Sequence, residues 1–157
     1  MDSSVPFLSE ARREDGAPDA LVLHCSDHRF QSGFREFLAE GLGLSSYALI
    51  AIPGGGHFLS MEYLFPKLAK TGLESMSFHI KRAKPHRVIL IGHDDCRFFK
   101  ERLEFYFPEG DLKKKQTANL RKARAIVLER FPGLPVELFF VEADPAGSLQ
   151  FIAIANT

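Results

Sequence analysis

The chain contains two cysteines, Cys25 and Cys96, and each stands in a short cluster of groups able to hold a metal or move a proton. The first cluster is His24-Cys25-Ser26-Asp27-His28-Arg29, and the second is Gly92-His93-Asp94-Asp95-Cys96. Two thiolates and an imidazole make a borderline-soft donor set suited to Zn²⁺, with a fourth position left for water or a carboxylate. Cys25, His93 and Cys96 are therefore the candidate ligands. Cys96 closely follows His93, so a turn leaving a strand can present both to one ion, whereas Cys25 must arrive from elsewhere in the fold. The competing reading is a pair of ordinary buried thiols with His93 capping a loop. A disulfide is also open to two cysteines, but a reducing compartment and the adjacent histidine favour metal ligation.

For these groups to meet, the elements before them must lie side by side. Apolar runs at 21–23 and 88–91 lead directly into the two clusters. As parallel strands of one sheet they would deliver both clusters to its carboxyl edge, where open α/β sheets place their sites. The remaining pattern agrees. Strands are expected over 20–24, 47–52, 87–91, 136–141 and 148–154, and helices over 33–40, 60–69, 73–84, 97–107 and 112–130. The successive apolar positions of 47–52 suggest burial on both faces. Pro66 either begins the second part of its helix or kinks it. The expected fold is thus α/β, a mainly parallel central sheet of four or five strands flanked by helices. It forms a single domain over 1–157 with a short N-terminal extension, 1–20, whose Val5, Pro6, Phe7 and Leu8 could dock on a neighbour.

At 157 residues the chain can bury roughly 70% of its unfolded surface in one core. Lys and Arg total 20 and Asp and Glu total 20, a balance that offers no general attraction for nucleic acid or an anionic membrane. Lys113-Lys114-Lys115 accordingly reads as a solvated first turn. No apolar run has the length of a membrane span, and no basic region feeds an apolar leader, so a cytoplasmic protein is expected. The segment 97–107 is rich in aromatics: as a helix, Phe99, Leu103 and Tyr106 share one face and Phe98 and Phe105 another. Two such stripes favour a partner surface over an aromatic core under an irregular loop.

Pro53-Gly54-Gly55-Gly56 breaks the second strand. It is either a backbone wall with amide donors beside the metal or a flexible surface loop. His28 and His57 lie close to the motifs and are either proton-transfer or pocket groups or solvated loop histidines. His24, His79 and His86 read as packing or surface groups. Asp94 and Asp95 are equal candidates for bonding to a ligand from outside the metal's coordination sphere.

The pattern Cys25-Ser26-Asp27-x-Arg29 followed by Gly92-His93-x-x-Cys96 resembles the β-class carbonic anhydrases, and Ser60-Met61-Glu62-Tyr63 is similar to the helix start after that family's glycine loop. Ile52-Pro53-Gly54-Gly55-Gly56 stands where the family has an Arg-Asn-Ala-Gly-Asn-like sequence, and Arg97 where a glycine commonly follows the second cysteine. The resemblance implies zinc held by Cys25, His93 and Cys96, and reversible hydration of carbon dioxide to bicarbonate by zinc-bound hydroxide oriented by Asp27 and Arg29. It further implies a closed form in which Asp27 itself ligates zinc. Gly54, Gly55 and Gly56 would line the substrate pocket, and the assembly would be a homodimer or a dimer of dimers. Two alternatives share the scaffold: a zinc enzyme acting on another small electrophile, and a binding or regulatory protein without turnover.

Overall fold

The computed structural model describes residues 5–103 and 111–156. Five strands, β1 (Ala20–His24), β2 (Tyr47–Ala51), β3 (Val88–His93), β4 (Val136–Ala143) and β5 (Leu149–Ala153), form one sheet in the order β2-β1-β3-β4-β5. The first four run parallel, and β5 returns antiparallel along β4. The helices are α1 (Gln31–Glu36), α2 (Pro66–Ala83), α3 (Arg97–Leu103) and α4 (Leu112–Arg130). The mainly parallel, helix-flanked sheet is the architecture the sequence pattern predicts.

Strand alternation divides the core into two layers. Leu21, Leu23, Val88 and Leu90 pack with Met76 of α2 and Leu120, Ala123 and Val127 of α4. Val22, Ile89 and Ile91 point the other way, onto Phe30, Phe34 and Leu38. Every residue of β1 and β3 is buried, which is why both read as unbroken apolar runs. The two layers also follow from the crossovers. Right-handed connections put α1, between β1 and β2, on one face, and put α2 and α4, whose connections run in the opposite direction across the sheet, on the other.

Several expected elements are corrected. β2 is an edge strand, so its apolar run is not covered on both faces: Leu49 is 43% exposed. The predicted helices 60–69 and 73–84 are instead a 3-10 segment, Gly55–Ser60, followed by the single helix α2. Pro66 neither kinks nor bisects it, because it occupies the first turn, where the missing N–H is no loss. Gly72 does not interrupt α2 either; it lies where a Cβ would come within 2.7 Å of the Phe58 ring, so the helix packs closely there. The helix expected over 33–40 is α1 continued by one wide turn, in which Leu42 N–H donates to Phe37 O at 2.8 Å. β3 runs on to His93, beyond the predicted end at 91.

Within the aromatic stripe Phe99 is buried, while Phe98 is half-buried and packs on Phe65 and against Gly54. Phe105 and Tyr106 lie outside the described residues. Val5, Phe7 and Leu8 are exposed. No helix among the described residues is long and apolar enough to cross a membrane.

Phe34 links the layers to the site, being fully buried and stacked on His24 with ring centroids 4.0 Å apart. Phe34→Ala is expected to destabilise the protein by about 3–5 kcal/mol, the cost of an unfilled aromatic cavity. Urea denaturation monitored by circular dichroism checks this; a loss under about 1 kcal/mol would mean the layer collapses to fill the space.

Candidate metal centre

The connection leaving β1 goes to β2 on one side, while β3 is followed by β4 on the other, so the strand order reverses between β1 and β3. That reversal opens a crevice at the carboxyl ends of the two strands. The register pairs Leu23 with Leu90, which sets Cys25, just past the end of β1, level with Gly92 and one residue short of His93. Cys96 returns to the same point through the turn at Asp94 and Asp95. The ligand atoms of Cys25, His93 and Cys96 lie within 4.8 Å of one another, and all three residues are buried.

His93 is prepared to ligate. Its Nδ1 lies 2.6 Å from the Asp94 carbonyl, an acceptor only, so Nδ1 carries the proton and donates it. Nε2 is left with its lone pair, buried and without a hydrogen-bond partner. A backbone carbonyl behind the ring fixes both tautomer and orientation, a common arrangement behind metal-ligating histidines. Asp94 thereby serves the ligand through its main chain, while its carboxylate accepts from Ala143 N–H at 3.0 Å and pins the end of β3 to β4.

The sulfurs sit among donors. Gly54 N–H donates to Cys25 Sγ at 3.3 Å, with the Asp27 amide also directed at it, and the amides of Phe98 and Phe99 are directed at Cys96. Cys25 is the anionic member of the pair: the Cys96 thiol donating to it is the largest influence holding it down to about 4. That shared proton, together with burial, pushes Cys96 up. Two sulfurs, one of them already anionic, and an imidazole lone pair facing one another form a donor set that fits a soft divalent metal.

Asp27 and Arg29 stand beside this set. Arg29 Nη2 donates to Asp27 Oδ2 at 2.7 Å, and its Nε reaches both oxygens. The Arg29 side chain and backbone hold the Asp27 carboxyl down to about 2. The resulting contribution to stability is complete above the ordinary carboxylate value near 3.8 and is lost as pH falls through about 2. A cavity of about 260 Å³ opens here, lined by Cys25, Ser26, Asp27, His28, Pro53, Arg97 and Phe98.

Gly54, Gly55 and Gly56 are buried, so they are not a flexible surface loop, and the Gly54 amide is a backbone donor beside the candidate ligands, as the sequence suggests. Gly54 and Gly55 take left-handed backbone, φ 81° and 59°. At Gly55 a Cβ would stand 2.9 Å from the backbone N of Cys25. The loop needs glycine so that it can press against the ligand strand and aim an amide at sulfur.

His28 is exposed at the cavity mouth, its Nδ1 4.0 Å from Asp27 Oδ1. His57 is not a solvated loop histidine. It is buried, its Nδ1 donates to Asn119 Oδ1 at 3.0 Å, and burial pushes it down to about 4. Asp95 bonds to Arg29 and Lys100 rather than to a ligand. Sequence reasoning missed Gln31, whose side-chain amide donates to the carbonyls of Cys25 and Asp27, and Gln116, which donates to the His93 carbonyl. The signal for Gln116 was present: it continues the apolar stripe of Leu120, Ala123 and Val127 as its one polar member.

No protein-family model matches the chain, and no curated protein matches its sequence. Solved structures do match in fold. The β-carbonic anhydrase CafA of Aspergillus fumigatus superposes with a TM-score of 0.54 at 16% identity, over 90% of this chain and 78% of its own. Tetrameric β-carbonic anhydrases of Sordaria macrospora reach 0.50 at 15% identity, over 90% and 84% of the two chains. The chain has the β-carbonic anhydrase fold.

Gly55→Ala is expected to cost about 2 kcal/mol or more, from left-handed backbone and the clash with Cys25. It should also loosen metal retention, measured by equilibrium dialysis. A variant as stable and as metal-retentive as the parent would show that the loop does not shape the ligand strand.

Proposed function

We propose that the chain is a zinc-dependent carbonic anhydrase that interconverts carbon dioxide and bicarbonate. The observation that carries this reading is the convergence of Cys25, His93 and Cys96 within 4.8 Å at the switch point of this fold. The orphaned Nε2 of His93 supports it, as does a dyad of Asp27 and Arg29 at the same cavity. Cys25, His93 and Cys96 would hold the zinc; once bound, that ion supplies Lewis acidity able to make water a nucleophile near neutral pH.

The chain's own residues do the rest. Asp27, anionic and therefore an acceptor only, takes a hydrogen bond from the attacking water and turns its lone pair toward the substrate carbon. Arg29 keeps the carboxylate in one orientation through charge-assisted bonds. Held at about 2, Asp27 is too weak a base to keep a proton, so its role is orientation. His28, exposed beside it, is placed to pass the proton to solvent, whereas burial keeps His57 neutral and out of that path. Phe98 and Pro53 give the cavity an apolar wall suited to an uncharged gas.

The assembly we propose is a cytoplasmic homodimer or dimer of dimers, supported by the tetrameric state of the Sordaria macrospora enzymes of the same fold. Arg97 adds a cation to the cavity lining and favours a second reading, the same centre acting on another small electrophile.

Stopped-flow hydration of carbon dioxide by zinc-loaded protein is expected to show turnover that rises with pH; inactivity at alkaline pH with full zinc occupancy would exclude the hydratase, and only turnover of another small electrophile by the same protein would then select the second reading. Cys96→Ser is expected to lose zinc and stability together, because ligand binding energy is part of folding energy; unchanged stoichiometry by atomic emission would remove Cys96 from the ligand set. Asp27→Asn should retain zinc while hydration falls about 10- to 100-fold, and parental rates in that variant would remove Asp27 from the mechanism.

A further inference from the structure

Asp27 and Arg29 belong to one stretch of chain, so the bonds between them fix the two side chains to each other. Those bonds do not fix the pair against the half of the site carried by β3 and α3. Arg29 has donors left over, and they turn to Asp95. Nη1 donates to Asp95 Oδ2 at 2.7 Å and Nη2 to the Asp95 carbonyl at 2.9 Å. Lys100 Nζ holds the other carboxylate oxygen at 2.5 Å. Asp95 has left-handed backbone, φ 48°, and the next residue is Cys96. A planar guanidinium gripped on two sides by acids from separate segments has little freedom to rotate.

We propose that Asp95 is a positioning residue: by holding Arg29 from the loop that carries Cys96, it sets where the Asp27 carboxylate stands relative to the metal ligands. Without that grip the dyad could swing as a unit about its own segment, its internal bonds intact and its oxygens misplaced. The effect on rate rests on the hydratase reading; the effect on Arg29 does not.

The test uses Asp95→Asn in zinc-loaded protein. Asparagine tolerates left-handed backbone and keeps the main-chain carbonyl, so the substitution removes charge with little strain. Nitrogen–proton NMR of the arginine Nε–H groups is expected to show solvent exchange at Arg29 accelerated about tenfold or more in the variant, at unchanged zinc stoichiometry. Hydration kcat should fall about tenfold with Arg29 present and no further in an Arg29→Lys background, because Asp95 acts through Arg29. Unchanged Arg29 exchange, equal losses in both backgrounds, or loss of zinc from Asp95→Asn would each overturn the assignment. Should the protein hydrate no carbon dioxide at all, the exchange measurement still decides the role of Asp95.

Discussion

The parallel pairing of β1 with β3 is the constraint on which the rest of the structure depends. Its register places the end of one buried strand level with the end of another, and so brings Cys25 to His93 from distant parts of the chain. Alternation along the strands puts the side-chain row of Leu21, Leu23 and Cys25 on the α2 and α4 layer, while the His93 ring lies 4.3 Å from Phe30 in the opposite layer. Neither face of the sheet alone can therefore contain the site. It has to lie across the sheet's end, open to the connections that leave there.

Gathering two sulfurs and an imidazole in a buried place concentrates polar groups where water does not compensate them. The fold answers with main-chain donors for the sulfurs, a carbonyl for the imidazole N–H, and glutamine amides that hold the carbonyls of Cys25 and His93. Among the described residues the Nε2 atoms of His93 and of nearby His57 are the buried side-chain polar atoms left without a hydrogen-bond partner. Everything around the His93 Nε2 fixes direction, so an arriving cation meets donors already aimed and little reorganisation is required.

Much of this was legible in residue order. The runs before the clusters marked β1 and β3, the periodicity of Leu120, Ala123 and Val127 marked α4, and the ligand spacing marked the site. What was lost depended on contacts between distant segments. Leu49 carries the same apolar signal as Leu23, and only strand order makes one an edge residue and the other core. Gly72 falls in the gap between the helices expected at 60–69 and 73–84, yet close packing on Phe58 retains it within α2. Gly54 to Gly56 gave a signal of conformational freedom, and the fold uses it for close approach to the ligand strand. His57 looked like a loop histidine until Asn119 and Phe99 enclosed it.

Phe98 is two residues beyond Cys96 and lies against Gly54, whose amide serves Cys25, while its ring also forms part of the cavity lining. The cavity wall and the amide that serves the Cys25 sulfur are consequently one mechanical assembly. Trimming that ring to admit a bulkier guest would strip the cover from the very amide that steadies the thiolate, so a wider gate comes at the expense of a tighter clasp. Lineages exploring new substrates on this frame would have to reshape both together.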